Sequence, residues 1–456
     1  MSAQPADYRP LCALTRAAGL DHRALIDAEQ RFPLGSLDRA SLLGPALPTL
    51  KDACVLIWSQ RQLPAARALL ELDGLARSIL LCPPDLAPEH LPAVIAEAEV
   101  DAIVADATLA PLPPTIRHIK LAESQAVPVG RSLPTEWVLF TSGTTGRPKL
   151  VAHSLASLTG PLVEGPVAVN DAMWSTFYDI RRYGGLQILL RALLGGGSLI
   201  LSQAGEPVGD FLRRAGEAGV THMLGTPTHW RRALMSQALD RIAPRYVRLS
   251  GEIADQAVLD QLARAFPAAG LTHAYASTEA GVGFEVHDKR EGFPATILGP
   301  QPGGREIRIV DGSIRMRSPR AAARYLGDDR LAEPDGFIDT GDMVVAVGDR
   351  FHFAGRRSGV INVGGQKVHP EEVEAVIMRD EAVRIAQVRG RSSPITGTLV
   401  VADIVLLPDA GDTTDIKARI MAACRAALPP HKVPAMLHEV SDLAVAASGK
   451  LERRRA

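Results

Sequence analysis

Residues 139 to 150 read LFTSGTTGRPKL. Thr141, Ser142, Thr144 and Thr145 bring hydroxyls, Gly143 and Gly146 bring unhindered backbone amides, and Lys149 brings a compact positive charge. Glycine lets backbone N–H groups converge on an anion, and hydroxyls and an ammonium add donors, so this set suits a phosphate cradle. It is not a Walker A loop. Gly146 is followed by Arg147-Pro148-Lys149, and Leu150 stands where a magnesium-binding hydroxyl is needed. A flexible Ser/Gly tether is the bland alternative. The apolar runs at residues 137–140 and 150–152 argue for a tight loop between two strands instead.

Four further segments carry chemistry-bearing residues. HAYASTEAG (residues 273–281) puts Ser277, Thr278 and Glu279 just beyond an expected strand, where ligand sites of parallel sheets lie. A carboxylate there could hold Mg2+ shared with phosphate oxygens, or could belong to an ordinary polar turn. In DGFIDTGDMV (335–344), Asp342 could accept two hydrogen bonds from a ribose diol or simply close a turn. FAGRRSGVINVGGQKVHPEEVE (353–374) sets basic residues and paired glycines ahead of a helix started by Pro370 and favoured by Glu371 and Glu372. SGKLERRR (448–455) reads by itself as a solvated tail.

The elements that must position these residues alternate. Strands are expected at 55–58, 78–82, 102–104, 198–201, 221–224, 246–249 and 273–276, with helices at 63–72, 88–98, 186–194, 208–218 and 255–265. That is the texture of βαβ units around mostly parallel sheets. Helices are also plausible at 10–18 and 22–30, and residues 108–134 read as a surface crossing. Residues 292–355 change to short alternating runs, an antiparallel, barrel-like layer. After a boundary at 356–359, helices at 370–378 and 415–427 and strands at 383–388 and 398–406 make a small α+β unit. The 456 residues allow two to four domains. A net charge of −1 gives no global attraction to nucleic acid or an anionic membrane. Four scattered cysteines without a C-x-x-C pair read as reduced thiols of a cytoplasmic protein. No signal peptide, apolar span or metal-ligand spacing is expected.

Taken in order, TSGTTGRPK, YASTEAG, DTGD, GRRSGVINVGGQKVHPEEVE and SGKLERR resemble the adenylate-forming superfamily: acyl- and aryl-CoA synthetases, adenylation domains of nonribosomal peptide synthetases, and luciferases. The resemblance covers roughly residues 50–456. It implies an α/β fold: a large N-terminal domain (1–357) of two α/β sheets plus a distorted β-barrel, and a small, mobile α+β C-terminal domain (358–456). It also implies that ATP and Mg2+ activate a carboxylic acid to an acyl-adenylate, with pyrophosphate released, before transfer to a thiol. By this resemblance Thr141, Ser142, Gly143, Thr144, Thr145, Gly146 and Lys149 cradle the β- and γ-phosphates. Tyr275, with Ala276 and Ser277, packs on adenine, whose edge meets Ser250, Gly251 and Glu252. Thr278 contacts the α-phosphate, and Glu279 binds Mg2+. Asp342 and Arg356 hold the ribose, and Lys450 reaches both the acid and the α-phosphate. Ser358 is the hinge, where Asp or Lys is usual in the family, and Ala276 stands where glycine is common. Gly364, Gly365 and Lys367 line the pantetheine path.

The resemblance places the acid among Tyr183, Gly184, Thr226, Ser250 and Gly281. No Asp occupies the position near Tyr183 that would bind an α-amino group, so small aryl or short to medium acyl acids are expected. Arg181 and Arg182 could bind a second carboxylate, or could stabilise their own loop. The acceptor is coenzyme A or, alternatively, a carrier protein's phosphopantetheine supplied in trans. A non-catalytic nucleotide-binding relative is the third reading.

Overall fold

Runs of Val, Ile, Leu and Cys that are apolar on both faces make buried parallel strands. Cys54–Trp58, Ser78–Leu81 and Ala102–Ala105 do so here, and all but Trp58 are buried. In a computed structural model, residues 8–107, 113–141, 148–163, 171–327, 330–363, 366–393, 397–408, 410–445 and 450–451 are described. A seven-stranded sheet runs in the order Arg324–Tyr325, Lys149–Ser154, Glu136–Thr141, Ser78–Leu81, Cys54–Trp58, Ala102–Ala105 and Arg117–Lys120. Its last five strands are parallel, and Lys149–Ser154 returns antiparallel beside Glu136–Thr141.

A second, eight-stranded sheet runs Gly281–Val286, Gly270–Ser277, Tyr246–Ser250, His222–Gly225, Met173–Thr176, Ser198–Leu201, Ala24–Ile26 and Arg31–Pro33. The six strands between its two edges are parallel. Helices Gln62–Leu72 and Tyr183–Leu194 share one core with both sheets, and every residue of the first is buried. Helices Val208–Glu217, Pro227–Leu234 and Gln256–Ala265 cover the other face of the eight-stranded sheet in a second core. A six-stranded antiparallel sheet, spanning Phe293–Pro294 to Arg350–Arg356, is the expected barrel-like layer. Beyond it, strands Val383–Ser393, Gly397–Leu406 and Met436–Glu439 pack with helices Pro370–Ile377 and Thr413–Ala427 around a separate cluster between Ile361 and Leu437. Among the described residues no helix is long and apolar enough to cross a membrane.

Two expectations change. Residues 22–30 are not a helix. Ala24–Ile26 pairs parallel with Ser198–Leu201 and antiparallel with Arg31–Pro33. Arg23 donates to the carbonyls of Ala192 (2.8 Å), Leu193 (2.6 Å) and Gly197 (2.9 Å), which caps helix Tyr183–Leu194. Sheet pairing and this cap outweigh local helix propensity. The crossing at 108–134 also contributes strand Arg117–Lys120 at a sheet edge.

Candidate active site

The phosphate-loop expectation sits on a hairpin. Thr141 ends one strand, Lys149 begins the next, and the two are directly paired. Ser142, Gly143, Thr144, Thr145 and Gly146 lie outside the described residues, as do Gly364 and Gly365. Lys149 Nζ stands 4.9 Å from the centre of the Tyr325 ring, and Tyr325 Oη donates to Glu279 Oε1 at 3.3 Å. Tyr325 therefore joins the lysine of one motif to the carboxylate of another. The YASTE turn is held from beneath. His153 Nε2 donates to the Thr278 carbonyl at 2.7 Å, and Ser277 Oγ accepts from Ala280 N at 2.9 Å. Burial keeps His153 neutral by lowering its pKa to about 4.

On the other side of this turn, Tyr275 Oη donates to Asp342 Oδ2 at 2.7 Å, and Arg356 Nε donates to Asp342 Oδ1 at 2.9 Å. The Tyr275 ring packs with Phe284 and Phe353, each with its centre 5.3 Å away. Asp342 and Arg356 are opposed in the strand register, so the barrel-like sheet itself sets their pairing.

Lys450 arrives from the far end of the chain. Gly251 has φ +85°, and a Cβ there would stand 3.3 Å from Lys450 Cε. A side chain at 251 would therefore be strained and would crowd the lysine. Glu252 Oε1 accepts from Leu451 N at 3.2 Å, while its Oε2 accepts from Thr228 N at 3.0 Å in helix Pro227–Leu234. Thr226, the N-cap of that helix, accepts from His229 N at 3.0 Å. Lys450 keeps contact with solvent, yet protein crowds it closely enough for desolvation to lower its pKa. Arg356 lowers it further, and Glu252 and Asp342 act in the opposite sense.

Tyr183, Gly184, Ser250 and Ala276 line a cavity of about 20 Å³. Thr226 and Gly281 are not in its lining: Thr226 stands beside Gly251, and Gly281 is packed closely on the Arg320 backbone. Tyr178 Oη binds both Ser250 O (2.8 Å) and Ser250 Oγ (2.9 Å). Arg181 is spent on its own loop: it pairs with Asp179 (Nε to Oδ1 2.7 Å) and bonds the Ser59 carbonyl. Arg182 pairs with Asp85. Ser358 lies in the single turn Arg357–Gly359. Lys367 is exposed on the hairpin of Ile361–Val363 with Gln366–Val368. Gln187, Arg191 and Arg248 also line the cavity and were not expected from the sequence. Their signal was polar residues at i, i+4 and i+8 in an apolar helix (183, 187, 191) and one arginine inside an apolar strand.

A family model described as AMP-binding enzyme matches residues 76–320, more than half of the chain. The chain belongs to this family. The C-terminal domain of AMP-binding enzymes matches residues 372–450 of the same enzyme. It is 26% identical to a 2-succinylbenzoate–CoA ligase of Listeria monocytogenes over 435 residues, covering 90% of each chain. It is also 28% identical over 350 residues to a probable non-canonical nonribosomal peptide synthetase of Salinispora arenicola, covering 70% of this chain and 4% of that far longer protein. Among solved structures, an anthranilate CoA ligase in complex with anthranoyl-AMP superposes with a TM-score of 0.83 at 18% identity, covering 99% of this chain and 97% of that one. A benzoate CoA ligase from Burkholderia xenovorans gives 0.81 at 20%, covering 98% and 99%. At these identities the superpositions establish the fold.

Proposed function

We propose that this AMP-binding enzyme is an AMP-forming acid–thiol ligase that joins a small carboxylic acid to coenzyme A. An acid oxygen attacks the α-phosphorus of ATP, and the bond to the pyrophosphate oxygen breaks. The CoA thiol then attacks the acyl carbon, its proton leaves, and AMP departs with the acyl oxygen. The observation that carries this reading is the convergence of Lys450 on the Gly251 turn, beside Asp342 and Arg356. The acid and the α-phosphate are both anionic. A lysine between them offsets charge that builds in the transition state, and holding the reactants in line supplies much of the remaining acceleration.

In this reading Lys149 and the loop from Thr141 to Gly146 hold the pyrophosphate end, Thr278 the α-phosphate, and Asp342 with Arg356 the ribose. Tyr275 flanks the adenine. Among the described residues no cluster of three or more ligating side chains exists. Glu279 fits Mg2+ as one ligand, since this ion takes few carboxylates and keeps phosphate oxygens and waters. When bound, Mg2+ neutralises phosphate charge. Residues 358–456 form the mobile domain, pivoting at Ser358, and its second orientation would bring Gly364, Gly365 and Lys367 to the pantetheine path. Four buried free cysteines suit a reducing cytoplasm.

The test is ATP- and acid-dependent pyrophosphate release, followed by mass analysis with CoA and, separately, with a phosphopantetheinylated carrier protein. A CoA thioester supports the reading. Loading of the carrier alone would move the acceptor, and no release with any acid would overturn the activity.

A further inference from the structure

Six of the eleven residues around the cavity beside Ser250 carry polar side-chain groups, although most of its open surface is apolar. Helix Tyr183–Leu194 is largely apolar and buried, yet Tyr183, Gln187 and Arg191 stand on one face of it, toward this cavity. The opposite wall comes from strand Tyr246–Ser250. Val247 and Leu249 enter the second core, while Arg248 and Ser250 take the alternate face.

Charge at the floor is unbalanced. Arg248 Nη1 pairs with Glu285 Oε1 at 2.6 Å, and Arg191 Nη2 lies 3.5 Å from the same oxygen. His287 Nε2 is 3.9 Å from Glu285 Oε2, and Arg320 lies within electrostatic reach of both Glu285 and Tyr183. Two guanidiniums thus share one carboxylate, with side-chain exposures of only 7% (Arg248) and 14% (Arg191). A positive charge in excess at such depth is costly unless an anion meets it. Donors are also unspent. Tyr183 Oη, which lies against the Val282 backbone, and Arg191 Nε are buried without a well-formed hydrogen bond. Gln187 Nε2 donates to the Leu158 carbonyl at 2.8 Å, which leaves its Oε1 for a bridging water or hydroxyl.

We propose that this cavity is the distal end of the acid pocket and that the enzyme's acid is a small dicarboxylate: one carboxylate is activated while Arg191, Arg248 and Tyr183 hold the other. The inference rests on the acid–thiol ligase reading above. The cavity exceeds the ~10–15 Å³ that a single water needs but is too small for a whole acid, so only the distal group enters it. Arg248 and Ser250 are two strand residues apart, about 7 Å, so the two carboxylates are separated by roughly a four-carbon spacer, as in adipate, or a benzene ring, as in isophthalate.

Pyrophosphate release is measured with matched pairs, adipate against hexanoate and isophthalate against benzoate. The dicarboxylate is expected to win by at least about tenfold in kcat/KM, mainly through KM, because its absence leaves buried donors unpaired. Arg191→Gln brings the ratio near one, and Arg191→Lys restores part of it. Equal or better use of the monoacids by the unmodified enzyme overturns the inference and leaves the ligase reading standing. No release with any acid of a wider panel overturns both. Should the variants fail to fold, the ratio measured on the unmodified enzyme decides.

Discussion

Lys450 acts in the proposed reaction as a charge and not as a base. Lys450→Ala is therefore expected to slow acyl-adenylate formation by about a hundredfold or more, while thioester formation from supplied acyl-adenylate keeps most of its rate. Separate assays of the two half-reactions check this, and equal losses in both would remove the assignment. The charge is also vulnerable to alkali. Desolvation and Arg356 hold the Lys450 pKa below the usual 10.5, so the protonated form is lost earlier as pH rises. Adenylation should fall on an alkaline limb below 10.5, and Arg356→Gln should move that limb upward in a pH–rate profile. Much at this scale was legible in the chain. Lys149, Glu279, Asp342 and Lys450 sit in runs of small and polar residues, where a charged side chain has no packing role to explain it. Arg191 and Arg248 left only the weak signal of a polar residue in an apolar helix or strand, His153 is explained by its apolar strand, and Tyr325 lies in a two-residue strand with no pattern of its own.

Elements decide which of these side chains meet. Starting the helix at Tyr183 instead of 186 brings Tyr183 into phase with Gln187 and Arg191, a relation that the Gly184-Gly185 pair hides in the sequence. Most inner strands of both sheets, though not Met173–Thr176, were readable because short apolar runs between turn signals leave few alternatives. Ala24–Ile26 was not, since its identity as a strand comes from pairing with residues about 170 positions away and not from its own pattern. Gly355 shows a steric demand of one element on another. It has φ +114° in strand Arg350–Arg356, and a Cβ there would collide with the Glu371 carboxylate of helix Pro370–Ile377. Gly355→Ala should destabilise the protein by about 1–3 kcal/mol, read as a shift in the urea midpoint.

Over the whole molecule, buried neutral histidines tie stability to acid. Burial lowers the pKa values of His153 and His222 to about 4 and that of His229 to about 3. An unfolded histidine takes up its proton near pH 6.5, so below that the unfolded chain binds more protons and stability falls as pH drops. Glu285 and Asp339, held below the carboxylate range, act in the same sense at lower pH, while Asp73, raised by burial, opposes them. The melting temperature should stay level above pH 6.5 and decline toward pH 4. His153 accounts for about 3 kcal/mol of that loss, and His153→Gln should flatten part of the decline.

Glu252 holds a helix start with one oxygen and the backbone beside Lys450 with the other. It works as a latch, because one side chain links the rigid floor to the arriving segment. A hydrogen bond to a charged acceptor contributes about 1.5–3 kcal/mol, so releasing the latch would lower the fraction of molecules with the lysine seated by roughly tenfold or more. Glu252→Ala should then slow adenylation by occupancy rather than by chemistry: a disulfide that pins the terminal segment in place would recover the rate, which no such pin could do for Lys450→Ala.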